Sequence, residues 1–182
     1  MRVLKFAILG LLDQRDLTGY DITKHFKDTL GQFWSAKHSQ IYPELKRLTE
    51  EGFIQFDVHI HGKKLEKKVY QITDAGKAEL DEWLRTKSPI PETTKDEFML
   101  KTFFISSMDK KDAVELFTHQ LLERTKKVDM LEHKLKVLTE EDPSVQLLHS
   151  VQFGHFLVLT RAIEREKGYV LWLQKTLHFI NQ

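Results

Sequence analysis

One short stretch of the sequence, GQFWSAKHSQIYPELKRLTEEGFI over residues 31–54, combines an apolar face with a polar face suited to nucleic acid. At helical spacing, Ile41, Leu45 and Leu48 fall on the same side. The remaining positions collect groups that hydrogen-bond to base edges or neutralise phosphates: Lys37, Ser39, Gln40, Tyr42, Lys46 and Arg47. This pattern predicts the recognition helix of a helix-turn-helix, which lies in the major groove. The alternative is an ordinary amphipathic helix whose polar face only meets water.

A basic segment directly after this helix favours the nucleic-acid interpretation. From Ile54 onward apolar and polar residues alternate, which predicts a half-buried strand ending near Gly62. A second strand returns after the turn. The lysines of the turn and the returning strand are expected to reach the sugar–phosphate backbone or the minor groove; they are Lys63, Lys64, Lys67 and Lys68. They can also protect an exposed sheet edge, and both roles can hold at once.

Metal and enzyme chemistry are not predicted. His59 and His61 would project to the same side of a strand, so a pair of metal ligands is feasible there. However, Lys63 and Lys64 directly after them would repel a cation. The sequence contains no GxSxG, HExxH or Gly-rich phosphate loop. We therefore expect no catalytic residue, no metal and no cofactor.

The elements that would position the polar face form a winged helix-turn-helix over residues 1–87. Thr18 is placed to cap the second of three helices. The apolar face of that second helix is predicted to consist of Tyr20, Ile22, Phe26 and Leu30. Pro43 fits best in the first turn of the third helix, which puts the helix start near Ser39, and Gly52 ends it. A two-stranded hairpin and a closing helix from about Thr73 complete the domain.

Prolines 89 and 91 mark a linker over residues 87–98, so a domain boundary is predicted near Ser88. The second domain, residues 88–182, is predicted to be entirely helical, with a helix over 94–108 followed by two long helices. Their apolar seams are Val114, Phe117, Leu121, Val128, Leu131, Leu135 and Leu138, and Phe156, Leu159, Ile163, Val170, Leu173, Leu177 and Ile180. These seams offer more apolar length than a helix pair can hide, which predicts a homodimer.

Each seam is interrupted by one charged residue, Arg124 in the first and Glu166 in the second. An unpaired buried charge is costly, so we expect these two side chains to approach each other, within or between subunits. The alternative is that each seam simply faces water at that turn.

The composition excludes several classes of protein. The 182 residues include no cysteine, so disulfides and thiolate chemistry are excluded and a reducing cytoplasm is the expected location. The apolar runs are too short to cross a bilayer. The net charge is only +1, so DNA binding would depend on local basic patches.

Four sequence blocks, AILGLL, LTGYDI, IYPELKRLTEEGFI and KKVYQITDAGKAEL, resemble the PadR family of bacterial transcriptional regulators in composition and order. The later blocks IPETTKDEFMLKTFFISS and FGHFLVLTRAIEREKGYVLWL are similar to the members of that family that respond to phenolic acids. The resemblance implies a homodimer joined by its C-terminal helices and bound to an inverted-repeat operator upstream of a phenolic acid decarboxylase gene. It further implies that p-coumarate or ferulate binds between the two domains and releases the DNA.

Such an effector needs aromatic walls, a cation or donor for its carboxylate and a polar group for its phenol. The candidate walls are Phe33, Trp34, Phe98, Phe103 and Phe156, and the candidate anchors are His38, Lys101, His155 and Arg161. For any single aromatic residue, plain core packing is the alternative. Two other functions stay open: a repressor of an efflux pump that senses bulkier drugs, and a winged-helix adaptor that contacts protein.

Overall fold

The structure, a computed structural model, describes residues 2–34, 36–61, 65–87 and 96–182. The chain forms two compact units, Met1–Pro89 and Ile90–Gln182, here called unit 1 and unit 2. The predicted boundary at Ser88 and most of the predicted linker lie outside the described residues. In the part of the chain that the structure describes, no helix is both long and apolar enough to cross a membrane.

Unit 1 is a winged helix-turn-helix, as predicted. Its elements are α1 (Val3–Gln14), β1 (Leu17–Thr18), α2 (Gly19–Asp28), α3 (His38–Glu50), β2 (Ile54–His61), β3 (Leu65–Ile72) and α4 (Asp74–Arg85), with a short 3₁₀ turn at Leu30–Gln32. The sheet is antiparallel with strand order β1-β3-β2, so the predicted two-stranded hairpin is extended by a third strand. Two residues are too short a run for alternation to reveal, which is why β1 escaped prediction.

Local sequence sets the ends of these elements. Thr18 and Asp21 form a capping box, in which the Asp21 N–H donates to Thr18 Oγ1 at 3.2 Å and the Thr18 N–H donates to Asp21 Oδ2 at 3.1 Å. Thr18 also pairs with Val69 across the sheet, so one residue ends β1 and begins α2. Gly52 closes α3 with a φ of +76°, a conformation that glycine adopts without steric cost.

Two details of the predicted helices are corrected. Tyr20 was assigned to the apolar face of α2, yet it is 73% exposed, whereas Ile22 and Phe26 are buried as predicted. Tyr20 lies on the side of the first turn that faces away from the buried residues Gly19 and Ile22. Pro43 lies in the second turn of α3 rather than the first, because the helix begins at His38. There Pro43 cannot donate the helix hydrogen bond to the carbonyl of Ser39, an exposed residue.

Unit 2 consists of α5 (Glu97–Phe103), a 3₁₀ turn (Ile105–Ser107), α6 (Lys110–Glu141) and α7 (Phe153–Asn181). The single helix predicted over 94–108 is therefore wrong in its extent. It begins only after the cap at Asp96, whose carboxylate accepts from the Met99 N–H at 3.1 Å, and it ends at Phe103. Residues 94 and 95 lie outside the described part.

The two predicted seams mostly face each other, since α6 packs along α7 within the same chain. Their residues form two apolar clusters, one around Leu131, Leu159 and Ile163 and the other around Phe117 and Leu173. Several seam residues, among them Val114 and Val170, stay half-buried in the single chain, so the involvement of the seams in a second subunit stays a prediction. Outside the seams, unit 2 exposes these large apolar side chains: Met99, Leu100, Phe103, Phe104, Leu122, Met130, Leu147, Leu148, Val151, Leu157, Leu171 and Phe179.

Arg124 and Glu166 meet, as predicted, within one chain. Arg124 Nη1 donates to Glu166 Oε2 at 2.7 Å, although Glu166 has no exposed surface. Lys127 and Arg165 approach the other carboxylate oxygen at 3.1 and 3.0 Å. Burial acts to raise the pKa of Glu166, but the hydrogen bonds from Arg124, Lys127 and Arg165 outweigh it, so the pKa is lowered. This cluster, called the Glu166 hub below, lies between the two apolar clusters along α7.

Candidate nucleic-acid interface and effector cleft

The polar face of α3 is exposed on a firmly anchored helix. Ile41, Leu45 and Leu48 have no exposed surface and join the core of unit 1. On the other side of α3 the predicted DNA-binding residues are all exposed: Lys37, Ser39, Gln40, Tyr42, Lys46 and Arg47. Because the buried side fixes rotation about the helix axis, the exposed side is presented in one orientation. This is the arrangement that a recognition helix requires.

Some of these side chains already have partners. Gln40 Oε1 accepts from the Lys37 N–H at 2.9 Å, so this amide caps α3 and keeps only its NH₂ group for DNA. Lys46 lies 3.7 Å from Glu50, an exposed pair that phosphate can readily replace. The ring of His38, predicted as an effector anchor, lies 4.3 Å from the ring of Tyr42 and therefore belongs to this face of unit 1.

Beside α3 lies an open hollow of about 790 Å³ between the start of α2 and the wing strand β3. Its described lining includes three phenols and two lysines, contributed by Tyr20, Tyr42, Tyr70, Lys67 and Lys68. Phenol hydroxyls and ammonium groups are the donors that phosphate oxygens accept from. The hollow therefore extends the polar face of α3 toward the wing.

Tyr20 is the residue of this surface that the sequence analysis missed. A signal was present in the sequence, because Thr18 caps α2 and Tyr20 follows two residues later. Side chains in the first turn of a capped helix lie at the end of the element, where core contact is least certain. The apolar spacing from Tyr20 to Ile22 and Phe26 hid that signal.

The described lining of the hollow carries two positive charges, on Lys67 and Lys68, against one negative charge on Asp21. A hydrogen bond from Thr18 lowers the pKa of Asp21 and holds its carboxylate in the capping box. Burial raises the pKa of Tyr70, with a smaller effect from Tyr42, so the Tyr70 phenol stays protonated as a donor. Lys68 Nζ lies 4.1 Å from the centre of the Phe56 ring, which directs this lysine along β2.

The tip of the wing is only partly described. Lys67 is exposed, as expected of a phosphate contact, but Lys63 and Lys64 lie outside the described residues. The side chains of His59 and His61 are also not described. Among the residues that are, no group of three or more metal-ligating side chains occurs. Val58 is 48% exposed, which shows that the hairpin leaves the core well before its turn.

A second cavity in unit 1, called the cleft below, has a volume of about 420 Å³. Two of the predicted effector walls, Phe33 and Trp34, line it together. The other described lining residues are Val3, Phe6, Ala7, Gly10, Leu11, Asp13, Gln14, Leu30, Leu80, Trp83 and Leu84. Sequence reasoning missed the α1 and α4 walls because their apolar spacing predicted only core packing.

The cleft suits a flat aromatic molecule. The rings of Phe6 and Trp83 stack at 4.7 Å with only 5° between their planes, giving the cavity one aromatic wall. At its polar edge, Lys77 Nζ lies 2.8 Å from the carboxylate of Asp13, next to Gln14. Of the described residues lining the cleft, none carries a positive charge. The cleft can thus bind a ring and a phenol but does not itself hold a carboxylate.

The effector candidates of unit 2 do not converge on one site within that unit. Phe98 is buried in the cluster with Phe117, where it packs as core. Lys101 pairs with Glu97 at 2.7 Å. Phe103 is 79% exposed, in contact with Phe104 at 5.1 Å.

The remaining candidates lie further along α7. Phe156 packs on the other apolar cluster, His155 is half-buried and Arg161 is exposed. Phe98 contacts Tyr169 and Trp172. Since a helix rises about 1.5 Å per residue, Phe156 lies roughly 20 Å from Tyr169 along α7. One small molecule bound within unit 2 cannot touch both Phe98 and Phe156.

Comparison with known proteins adds an independent line of evidence. Residues 8–82 match the transcriptional regulator PadR-like family, and residues 94–181 match the virulence activator alpha C-terminal family. The curated relatives include the negative transcriptional regulator PadR of Bacillus subtilis, 56% identical over the whole of both chains. A probable transcriptional regulator of Mycobacterium tuberculosis is 25% identical over 98% of both.

Solved structures give the same result. The chain is similar to Bacillus subtilis PadR in complex with operator DNA, with 58% identity, a TM-score of 0.91 and coverage of 98% of this chain and 99% of that chain. It is similar to the same protein in complex with p-coumaric acid, with 55% identity, full coverage of both and a TM-score of 0.85. The Vibrio cholerae virulence activator AphA aligns over 98% of both chains with 30% identity and a TM-score of 0.73.

Proposed function

The chain belongs to the PadR-like family of transcriptional regulators, and on that premise we propose that it is a homodimeric repressor released from its operator by phenolic acids. Membership of this family agrees with the prediction that the chain is not an enzyme. The proposed target is a phenolic acid decarboxylase gene, and the proposed location is the cytoplasm, where a bacterial regulator meets its operator.

The observation that carries the proposal is the exposed face of α3 together with the hollow beside it. Base contacts would come from Ser39, Gln40 and Tyr42 at the start of α3, where a recognition helix reads the groove. Phosphate contacts would come from Lys37, Lys46, Arg47 and Lys67, with Tyr20 as an additional donor. The relative solved with operator DNA supports this use of the fold.

A dimer is proposed because unit 2 leaves large apolar side chains exposed. Leu157 and Leu171 lie on α7 and Leu122 and Met130 on α6, outside the seams that the two helices share. Large apolar side chains exposed in this way are typical of a protein–protein interface. Two-fold pairing through unit 2 would place two copies of α3 on the two halves of an inverted repeat.

The effector is proposed to place its aromatic ring in the cleft. Phe33, Trp34 and Trp83 supply walls of the right chemistry, and a relative was solved with p-coumaric acid. Asp13 and Gln14 at the polar edge would accept a hydrogen bond from the phenol. The residue that holds the carboxylate is a separate proposal, to be tested on the sequence-predicted candidates His38, Lys101, His155 and Arg161.

Release would follow from a shift in population. An effector can displace the protein from DNA only if it binds the arrangement that does not fit the operator more tightly than the one that does. Shifting such an equilibrium from 1:99 to 99:1 takes a preference of about 10⁴-fold. A small change in the distance between the two copies of α3 suffices, because half-sites lie on a fixed helical repeat.

The decisive experiment is a gel shift on the DNA upstream of a phenolic acid decarboxylase gene, with and without p-coumarate. We expect a specific complex that p-coumarate dissolves and that weakens steeply with salt. A fragment with one half-site scrambled is the control for two-fold binding. Absence of binding to the intact repeat at low salt would refute the repressor assignment and favour the adaptor.

Two of the three tryptophans, Trp34 and Trp83, line the cleft. We therefore expect p-coumarate to quench the fluorescence of a Trp172→Phe variant, in which both remaining tryptophans line the cleft. Trp83→Ala should abolish the quenching, since it removes the stacked wall.

A second candidate function, repression of an efflux pump, is favoured by one observation: the described lining of the cleft holds no cation. A neutral drug needs none, whereas a phenolic acid does. Comparing p-coumarate with its methyl ester separates the two functions. If the ester releases the operator as well as the acid does, the drug-sensing function is the correct one. If Lys101→Ala is no longer released from the operator by p-coumarate, Lys101 is the carboxylate anchor. The same measurement on Arg161→Ala tests a second candidate.

A further inference from the structure

Gly19, the first residue of α2, lies against the phenol of Tyr42. A Cβ atom added at Gly19 would lie 3.0 Å from Tyr42 Cε1, 3.0 Å from its Oη and 3.1 Å from its Cζ. Carbon atoms in good contact are about 3.5–4.0 Å apart, so even an alanine methyl group would displace the ring. Any residue larger than glycine therefore requires the Tyr42 ring to give way by a few tenths of an ångström.

Backbone conformation does not explain a glycine at this position. Among the described glycines, a positive φ occurs at Gly52 and not at Gly19. A helix start does not favour glycine over serine, threonine or aspartate either. Close approach of another group is the remaining physical reason for glycine at a buried position.

The ring that Gly19 admits belongs to the surface proposed to bind DNA. Tyr42 is 39% exposed, and both Gly19 and Tyr42 line the hollow beside α3. The His38 ring also contacts the Tyr42 ring. With contacts from α2 and from its own helix, the phenol is held in one place before any DNA arrives.

We propose that Gly19 is a positioning residue for operator recognition: its missing side chain seats the Tyr42 phenol against the start of α2 and thereby fixes where the hydroxyl meets the DNA. This inference rests on the proposed function. It assigns Gly19 no contact with DNA of its own. The benefit is preorganisation, because a hydroxyl that is already in place loses less conformational freedom on binding.

The test is a double-mutant cycle on operator affinity in the absence of effector. Gly19→Ala should weaken binding about threefold to tenfold, the range expected when one ordinary hydrogen bond is lost. The same substitution in a Tyr42→Ala background should cause no further loss, since the side chain that it displaces is gone. Losses that multiply in the double variant would overturn the proposal.

Gly154→Ala is the matched control, because a Cβ at Gly154 of α7 meets nothing within 4 Å. It should bind the operator as the wild type does. Thermal midpoints of Gly19→Ala and wild type should agree closely, since the displaced ring can move toward solvent.

A second measurement needs no DNA. In protein labelled with 3-fluorotyrosine, Gly19→Ala should shift the ¹⁹F resonance of Tyr42 and leave that of Tyr169 in unit 2 unchanged. An unmoved Tyr42 resonance would overturn the inference. Wild-type protein that bound no operator would overturn both the proposed function and this role, whereas wild-type binding with an equal affinity for Gly19→Ala would overturn this role alone.

Discussion

Unit 1 and unit 2 bury their apolar residues in different ways. In unit 1 four helices and the sheet contribute to one continuous core that runs from Phe6 to Leu80. In unit 2 the long pair α6 and α7 forms two separate clusters, with the Glu166 hub between them and large apolar side chains left outside. Unit 1 presents the polar face of α3 outside its core, whereas the helix pair of unit 2 leaves large apolar side chains exposed. This difference supports the proposal that unit 1 recognises DNA and unit 2 mediates association.

The largest effect is expected at the Glu166 hub. Glu166→Ala would leave Arg124, Lys127 and Arg165 around an empty buried position, and breaking a buried charge cluster in this way costs about 3–5 kcal/mol. Chemical denaturation should show the loss in unit 2. Glu166→Leu serves as the control, because it refills the volume. Unchanged denaturation of the alanine variant would show that the hub contributes nothing to the stability of unit 2.

Acid should act on the same carboxylate. The pKa of Glu166 is lowered in the folded chain, so its contribution to stability is present above the unfolded pKa of about 4.3 and is lost as the pH falls through the folded value. We expect wild-type stability to decline more steeply on acidification than that of Glu166→Gln. Parallel pH curves for the two proteins would contradict this expectation.

The next largest effect is expected for a core residue behind the exposed face of α3. Leu45→Ala removes a side chain with no exposed surface, and such a change costs about 2–5 kcal/mol. Because Leu45 belongs to unit 1, the oligomeric state measured by sedimentation should not change. A monomeric Leu45→Ala would show that the two units do not divide the work in the way described here.

A charge placed on the exposed face of α7 should change the oligomeric state, which Leu45→Ala leaves unchanged. Leu171→Lys forfeits the burial of a leucine, about 2 kcal/mol per subunit, and a two-fold interface repeats the loss in both copies. We expect a concentration-dependent shift toward monomer and, in consequence, weaker binding to the full inverted repeat but not to a half-site. Lys175→Ala, at another exposed position of α7, is the comparison variant.

The smallest effect is expected for a single phosphate contact. Lys46→Ala should weaken operator binding by less than tenfold, equally for all sequences, and reduce the slope of log affinity against log salt by about 1. Gel shifts at several salt concentrations measure that slope. A sequence-dependent loss would instead assign Lys46 to base recognition.

Much of this architecture is readable from local patterns. The apolar spacing of α3, the alternation of β2 and the caps at Thr18 and Thr73 act over a few residues, so the winged fold follows from them. The lone charges at Arg124 and Glu166 predicted their own contact because burial of either one alone is so unfavourable. In these cases a single physical requirement, such as burying an apolar face, capping a helix or pairing a buried charge, can be read from a few residues.

What the sequence did not reveal depends on how distant elements meet. Tyr20 has the spacing of a core residue, and only the fold shows that its side chain is exposed while Gly19 and Ile22 in the same turn are buried. The cleft joins α1, α4 and the segment before α3, each of which looks like ordinary packing by itself. Periodicity also cannot say whether two seams pair within one chain or between two.

Thr18 has a consequence for how any signal could reach the DNA. The same residue is paired with Val69 of β3 in the sheet and closes the capping box of α2, so one residue links the wing to the start of α2. A wing that swung by itself would have to break that cap, which typically contributes about 1 kcal/mol. We therefore expect an effector to change the distance between the two copies of unit 1 in the dimer and to leave the fold of each copy unaltered.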